Sequence, residues 1–259
     1  MFRILAFCAA LAGCAAPTPR PTAGDGGPTL VFEAGLGDGA PVWDGLRRSL
    51  PAEVASFAWT RAGYGIGPLP GRPWPGDADG SRSGAEVAFH LAQALHEAGQ
   101  QPPYILVAHS IGASYALSYA RAHPDQIAGI VLVDPRLPGF TALCQAEGLR
   151  GCTVPPLLMA LLSPTERLEL RGIEETEAAL RDLSALRDIP ITILTATRPA
   201  LGEDPRWRTL WAAHADTFGA GFSQSRRVAV ASGHYIQREA VEVLRDEILR
   251  MRAEVSRNR

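Results

Sequence analysis

Short apolar runs rich in β-branched residues recur along this chain and alternate with segments of helical periodicity. The runs, each given with the number of its first residue, are TLVFEAG (29), VASFAWTR (54), YILVAH (104), IAGIVLVD (127), ITILTA (191) and RRVAVAS (226). Apolar residues recur at helical spacing over 82–98, 111–122 and 241–251. This alternation predicts an α/β fold, in which a mostly parallel, doubly wound sheet is covered by helices on both faces.

The length of 259 residues suits one large domain, which we expect to span residues 29–255. The interval 135–188 breaks the alternation between the strands that begin at 127 and 191. We therefore expect a small helical cap, inserted before the penultimate strand. The apolar stretch Leu157–Leu162 within it is expected either to line a pocket or to form the buried face of a cap helix.

The segment YILVAHSIGASYAL, residues 104–117, passes from a strand pattern to a helix pattern at Ser110. Serine esterases carry G-x-S-x-G on such a turn, with small residues two positions either side of the nucleophile. Gly112 meets one of these requirements, and Ala108 meets the other with one extra methyl group. We interpret the turn as a nucleophile elbow that tolerates alanine, the alternative being a buried turn that happens to carry a serine. The Ile111 amide, at the helix N-terminus, would then be one oxyanion donor.

Two further loops follow predicted strands. GLGDG, residues 35–39, comes after the first core strand, where the amide of Leu36 is best placed as a second oxyanion donor, although any tight loop looks similar. SGHYI, residues 232–236, places His234 after the last strand, at the sheet edge where catalytic groups collect in α/β proteins. His109 neighbours Ser110 but, by strand alternation, we expect it to point away from that residue.

The chain resembles the α/β-hydrolase superfamily over about residues 28–255. The resemblance is carried by VFEAGLGDGAPVW, TRAGYGIGP, PYILVAHSIGASYALSYARAHPDQIAGIVLVDP and VAVASGHYI. It implies a serine nucleophile at Ser110, a general base at His234 and oxyanion amides from Leu36 and Ile111. The order of serine before histidine also matches that fold. No metal and no organic cofactor is implied.

The acid that orients His234 is ambiguous in the sequence. Members of the superfamily usually take it from the loop after ITILTA, which here reads TRPALGEDPRW and has no acid within the first few residues. Glu203 and Asp204 lie further along that loop. A subset of the superfamily uses an aspartate that ends the preceding strand, and Asp134 occupies that position. We choose Asp134, slightly ahead of Asp204, although an aspartate at a strand end also serves as a cap.

The N-terminus begins MFRILAFCAALAGCAAPTP, with one arginine before a short apolar run. This pattern is typical of a secretory signal over residues 1–13, too short to span a bilayer as a mature helix. The segment ending at Cys14 resembles the bacterial lipobox, which implies a lipidated cysteine; an ordinary signal peptide with a chance cysteine is the alternative. Residues 14–28 are rich in proline and glycine and predict a flexible tether. We expect anchoring to the periplasmic side of the outer membrane.

Of the four cysteines, Cys144 and Cys152 remain in the mature domain once Cys8 leaves with the signal and Cys14 carries lipid. An even pair in an exported protein predicts a disulfide, with two free thiols as the alternative. Two cysteines without nearby histidines fall short of a metal site.

The net charge of −2 gives no indication of a nucleic-acid partner. The sequence therefore predicts a lipid-anchored serine hydrolase that cleaves a small-molecule carboxylic ester through an acyl-enzyme on Ser110. A thioesterase or a cofactor-free haloperoxidase would use the same residues. A non-catalytic binding protein on the same fold is the alternative of a different class.

Overall fold

The structure is a computed structural model of the chain. It describes residues 26–64, 74, 77, 79–200 and 203–257, together with the backbone of 18–20. The predicted signal, residues 1–13, and Cys14 lie outside the described residues. No helix in the described part of the chain is long and apolar enough to cross a membrane.

In the described part of the chain, six parallel strands and one short antiparallel edge strand form one sheet. The strands are β1 (Thr18–Arg20), β2 (Thr29–Glu33), β3 (Ser56–Ala58), β4 (Tyr104–His109), β5 (Ile127–Val133), β6 (Ile191–Ala196) and β7 (Ser225–Val230). Their order across the sheet is β1-β3-β2-β4-β5-β6-β7, and β1 pairs antiparallel with β3. The mostly parallel sheet predicted from the sequence is confirmed.

Ten helices are assigned among the described residues. They are α1 (Asp44–Ser49), α2 (Gly84–Glu97), α3 (Gly112–Ala122), α4 (Phe140–Ala146), α5 (Pro156–Met159), α6 (Pro164–Arg171), α7 (Ile173–Ala179), α8 (Pro205–Gly219), α9 (Ile236–Glu239) and α10 (Val241–Arg257). The capping box between Ser83 and Glu86 starts α2 two residues later than the periodicity predicted.

Alternation along the strands divides the core into two layers. On β2, Val31 packs with buried side chains of α2 and α3, whereas Leu30 and Phe32 face the other layer, which includes Leu244 and Ile248 of α10. Because successive strand residues point to opposite faces, the interior strands β2, β4, β5 and β6 are buried over nearly their whole length. Helices on both faces confirm the doubly wound arrangement.

The edge of the sheet differs from the sequence prediction at two places. Residues 18–20, inside the predicted tether 14–28, form the strand β1 instead, which pairs with the otherwise open edge of β3. The strand predicted over 54–61 is shortened to Ser56–Ala58. It ends there because Trp59 and Arg61 leave the sheet and hydrogen-bond to the buried carboxylate of Glu33.

The predicted cap lies between β5 and β6 and consists of α4, α5, α6 and α7. A disulfide joins Cys144 in α4 to Cys152 in the following loop. Both cysteines pack with Phe140 of α4 and Trp211 of α8, so this end of the cap is fastened to the main domain by a small apolar cluster. At the other end, α7 packs against α2 and α3.

Gly172 sits at the junction of α6 and α7, where the cap lies against the backbone of the main domain. A Cβ atom at this position would lie 2.0 Å from the carbonyl oxygen of Arg82 and 2.5 Å from its carbonyl carbon. The contact is with main-chain atoms, which cannot rotate away. The close docking of the cap therefore requires glycine at this position.

We expect Gly172→Ala to lower the free energy of unfolding by about 1–3 kcal/mol, because overpacking forces the backbone apart. Gly45→Ala is the matched control, since a Cβ on this α1 residue meets nothing within 4 Å. That variant should be neutral or more stable, by up to about 1 kcal/mol. Urea unfolding of both variants checks the prediction, and equal stabilities would contradict it.

Candidate active site

Ser110 occupies a sharp turn between β4 and α3. Its backbone φ is +54°, a left-handed conformation that non-glycine residues rarely adopt. The Ser110 amide donates to the carbonyl of Val133 on the neighbouring strand, at 3.1 Å. Gly112 has no room for a side chain, because a Cβ there would lie 2.4 Å from the carbonyl oxygen of Ala34. The methyl group of Ala108 is fully buried in the α2–α3 layer, so this turn accommodates alanine at the position where the motif has glycine.

The structure brings Ser110, His234 and Asp134 into one hydrogen-bonded chain. His234 Nδ1 lies 2.6 Å from Asp134 Oδ2, and His234 Nε2 lies 3.0 Å from Ser110 Oγ. Because an ionised carboxylate only accepts, Nδ1 carries the proton and Nε2 presents its lone pair to the serine hydroxyl. This is the arrangement that activates a serine in hydrolases. The imidazole remains reachable from solvent, with a side chain 35% exposed.

Asp134 is completely buried at the end of β5, with a φ of +40°. Besides His234, three groups donate to its carboxylate: the amide of Ala196 at 3.0 Å, Trp211 Nε1 at 3.1 Å and a guanidinium nitrogen of Arg208 at 2.8 Å. Burial by itself would raise the pKa of Asp134, but the hydrogen bond and charge of His234, followed by Arg208, hold it below the usual value. The carboxylate therefore stays ionised beside the imidazole.

The two alternative acids are used elsewhere. Asp204 caps the N-terminus of α8 by accepting from the Arg206 amide and pairs with the Arg206 guanidinium. Glu203 pairs with Arg208 at 3.3 Å. The helix α8, which follows that loop, supplies Arg208 to Asp134, and neither Glu203 nor Asp204 is bonded to His234. Sequence reasoning missed Arg208 and Trp211 as partners of Asp134, because both lie beyond the loop 197–207 that was considered as the source of the acid.

The amides of Leu36 and Ile111 have no hydrogen-bond acceptor within the described residues. Both lie next to the serine: Ile111 follows it directly, and a Cβ on Gly35 would come within 3.3 Å of Ser110 Cβ. Ile111 also precedes the first turn of α3, where amides point outward with partial positive charge. Two unoccupied donors beside the hydroxyl can hold an oxyanion.

His109, whose side chain we expected to point away from Ser110, lies against His234. Its Nε2 donates to the backbone carbonyl of His234 at 3.0 Å, and the two ring centres are 4.6 Å apart. The ring is 1% exposed. Burial, followed by the nearby charge of His234, lowers the pKa of His109 to about 3. A neutral His109 thus supports the loop that carries His234.

A large cleft of about 1440 Å³ lies between the cap and the end of α8. Its lining includes Leu158, Met159, Phe218 and Phe222, but none of the three triad residues. Within the apolar stretch Leu157–Leu162, Leu158 and Met159 thus face this cleft. Leu157 and Leu161 are both 79% exposed. The stretch does not form a buried helix face, because α5 has only four residues and none of them is buried.

The buried, neutral His109 should make stability depend on pH. Its pKa is about 3 in the folded chain and 6.5 when exposed, so between these values only the unfolded chain binds this proton. Stability should therefore fall as the pH falls from 6.5 towards 3, by up to about 1.4 kcal/mol per pH unit. His109→Gln keeps a donor and removes the titrating ring, so urea unfolding across this range should give a flatter profile.

The matched control is His214→Gln, because His214 Nε2 also contacts a backbone carbonyl, that of Pro138 at 2.9 Å. Greater flattening in His214→Gln than in His109→Gln would contradict the assignment.

Comparison with known proteins identifies relatives with this architecture. The chain is 34% identical over 125 residues to the uncharacterised protein YqjL of Bacillus subtilis, covering 48% of this chain and 46% of that protein. It is 31% identical over 147 residues to the lipase LipV of Mycobacterium tuberculosis, covering 56% and 48%. The matched region thus spans about half the length of these curated relatives.

The structure also superposes on a thermophilic esterase from Thermogutta terrifontis, with a TM-score of 0.66, 19% identity and 93% coverage of both chains. At this identity the similarity establishes the fold. A family model described as the alpha/beta hydrolase family matches residues 30–247, most of the chain. With the sheet order, the inserted cap and this match in agreement, the chain belongs to the alpha/beta hydrolase family.

Proposed function

We propose that this protein is a serine hydrolase that cleaves carboxylic esters through an acyl-enzyme on Ser110. The observation that carries the proposal is the hydrogen-bonded chain from Ser110 Oγ through His234 to the buried carboxylate of Asp134. The lipase and esterase among its relatives support the same class of chemistry.

In the first half-reaction, Ser110 Oγ attacks the acyl carbon while His234 Nε2 takes the hydroxyl proton. The carbonyl oxygen becomes an oxyanion between the Leu36 and Ile111 amides, and each such donor is typically worth about 3–4 kcal/mol in the transition state. His234 then gives its proton to the leaving alcohol as the ester bond breaks. Asp134, held ionised by its four donors, stabilises the imidazolium between these two transfers.

In the second half-reaction, His234 removes a proton from water, and the resulting hydroxide equivalent attacks the acyl-serine. Collapse of the second tetrahedral intermediate breaks the bond to Ser110 Oγ, returns the proton to that oxygen and releases the carboxylic acid. Every proton in the cycle passes through His234, and no further group is needed to balance either step. The same series of steps hydrolyses a thioester, so the assay should include a thioester substrate.

Asp134→Asn should lower kcat by roughly 10³–10⁴-fold, since an amide partner leaves the histidine in the wrong tautomer. Asp204→Asn is the matched control and should stay within about 2-fold of wild type, because Asp204 caps α8 and pairs with an exposed arginine. Steady-state hydrolysis of a short-chain aryl ester measures both. A large loss in the Asp204 variant alone would assign the acid to that residue.

The nucleophile is tested separately with a fluorophosphonate, which forms a covalent adduct with an activated serine. Mass spectrometry should place the adduct on Ser110, and labelling should disappear in His234→Ala. Folded wild-type protein that takes up no label and cleaves neither an ester nor a thioester would favour the non-catalytic binding protein instead.

We also propose that Cys14 carries lipid and anchors the protein to the periplasmic side of the outer membrane. The sequence up to Cys14 supports this, and a Cys144–Cys152 disulfide is compatible with an oxidising compartment. The strand β1 begins four residues later, with Thr18 opposite Ala58, the last residue of β3. This is the end of the sheet formed by the carboxyl ends of the parallel strands, where Ser110 follows β4. Four residues span at most about 14 Å, so an anchor at Cys14 would hold this edge near the membrane.

Mass spectrometry of the N-terminal peptide from the native host should show a chain that starts at Cys14 and carries acyl groups. Cys14→Ser should abolish both the cleavage and the added mass, whereas Cys8→Ser should leave them unchanged. An unmodified peptide, or one that begins at another residue, would contradict lipidation without bearing on hydrolysis.

A further inference from the structure

A cluster of charged side chains is buried between the cap and the sheet, apart from the triad. Glu33 ends β2, Arg61 follows β3, Arg82 precedes α2 and Glu169 lies on α6 of the cap. The side chains of all four are at most 2% exposed. Buried charges require partners of opposite sign and complete hydrogen bonding, so these four groups depend on one another and Arg82 also on Asp77, 2.6 Å away.

Glu169 is the contribution of the cap to this cluster. One carboxylate oxygen accepts from Arg61 Nε at 2.7 Å and from Arg82 at 3.2 Å. The other accepts from a terminal nitrogen of Arg61 at 3.0 Å and from the hydroxyl of Tyr64 at 2.8 Å. The carboxylate therefore fixes the plane of the Arg61 guanidinium through two bonds and also orients the Tyr64 hydroxyl.

Arg61 in turn holds the loop that carries Leu36. Its terminal nitrogens donate to the carbonyl oxygens of Ala34 and Gly35, both at 2.8 Å. The carbonyl of Gly35 and the amide of Leu36 belong to one planar peptide unit, so the direction of the carbonyl sets the direction of the N–H. A donation from a charged group to that carbonyl also polarises the peptide and makes its N–H a stronger donor.

Tyr64 binds the peptide unit that follows Leu36. Its hydroxyl accepts from the amide of Gly37 at 3.1 Å while donating to Glu169. The peptide units before and after Leu36 are thus both tied to a single carboxylate on the cap. Although burial acts to lower the pKa of Arg61, the charges of Glu169 and Glu33 raise it well above its usual value, so the guanidinium stays charged.

We infer that Glu169, acting through Arg61 and Tyr64, positions the Leu36 amide for the oxyanion, so that docking of the cap and stabilisation of the transition state are coupled. Glu169, Arg61 and Tyr64 are positioning residues, since it is the Leu36 amide that faces the reacting oxygen. The inference rests on the proposed ester hydrolysis and assigns a role to residues outside the triad.

Tyr64→Phe tests the link with the smallest change. It keeps the ring beside the Arg61 guanidinium, 5.2 Å away, and removes the hydroxyl that joins Gly37 to Glu169. Losing an oxyanion donor lowers kcat by about 10²–10³-fold. A Leu36 amide that is present but misdirected should therefore lower kcat by about 10-fold and leave KM within about 2-fold of wild type. Affinity for a trifluoromethyl ketone, whose adduct with serine carries the oxyanion, should fall by the same factor as kcat.

The matched control is Tyr119→Phe, which removes a hydroxyl that donates to Gln126 at 2.7 Å. Tyr119 lies in the C-terminal half of α3, at the end of the helix opposite Ser110. It should retain the kcat, KM and ketone affinity of wild type. Glu169→Gln should give a larger loss of kcat than Tyr64→Phe, because it weakens both routes to Leu36. If Glu169→Gln fails to fold, the Tyr64 variant decides by itself.

A Tyr64→Phe protein with wild-type kcat and ketone affinity would overturn the inference, as would a rise in KM without a fall in kcat. Fluorophosphonate labelling of wild type separates this outcome from failure of the proposed function. A reactive wild type with an unaltered Tyr64 variant refutes the positioning role alone, whereas an inert wild type refutes both.

Discussion

The pairing of β4 with β5 is the constraint from which the rest of the site follows. His109 lies opposite Val133 in the parallel register, so the next residue on each strand, Ser110 and Asp134, leaves the sheet at the same level. Both of these residues have positive φ, which turns each chain sharply at the sheet edge. The Ser110 amide remains tied to Val133, and the Asp134 amide to Leu194. Ordinary strand hydrogen bonds therefore set the separation between the serine and the acid, and His234 needs only to bridge it.

Placing the acid at the end of β5 changes what the loop after β6 has to provide. A carboxylate that is completely buried must have its lone pairs satisfied. Ala196 is the last residue of β6, and its amide donates to Asp134. Arg208 and Trp211 donate to the same carboxylate from α8. The elements on either side of the loop that usually carries the acid in this fold thus support an acid on the neighbouring strand. The loop itself contributes Glu203, which pairs with Arg208 at 3.3 Å.

The sequence was sufficient for features that depend on local pattern and insufficient for those that depend on distant contacts. Apolar runs and helical periodicity predicted the interior strands and the long helices, since burial on both faces leaves a continuous signal. The turn around Ser110 and the loop around His234 were recognisable by position. The choice of acid remained open because Asp134, Glu203 and Asp204 all follow strands, and only tertiary packing decides which carboxylate reaches the histidine. Glu33, in an otherwise apolar strand, could have predicted the buried ion pair with Arg61, because a buried charge must have a partner.

The two ends of the cap contact residues that support different parts of the proposed catalytic site. At one end, Phe140 packs on Trp211 with ring centres 4.5 Å apart, and Trp211 donates to Asp134. At the other end, Glu169 is bonded to the arginine that holds the Gly35 carbonyl. Apolar contact secures the first end, within which a disulfide joins two residues of the cap, whereas buried ion pairs secure the second. Ion pairs are directional and apolar contacts are not, so the charged end is the one suited to set the orientation of a peptide plane.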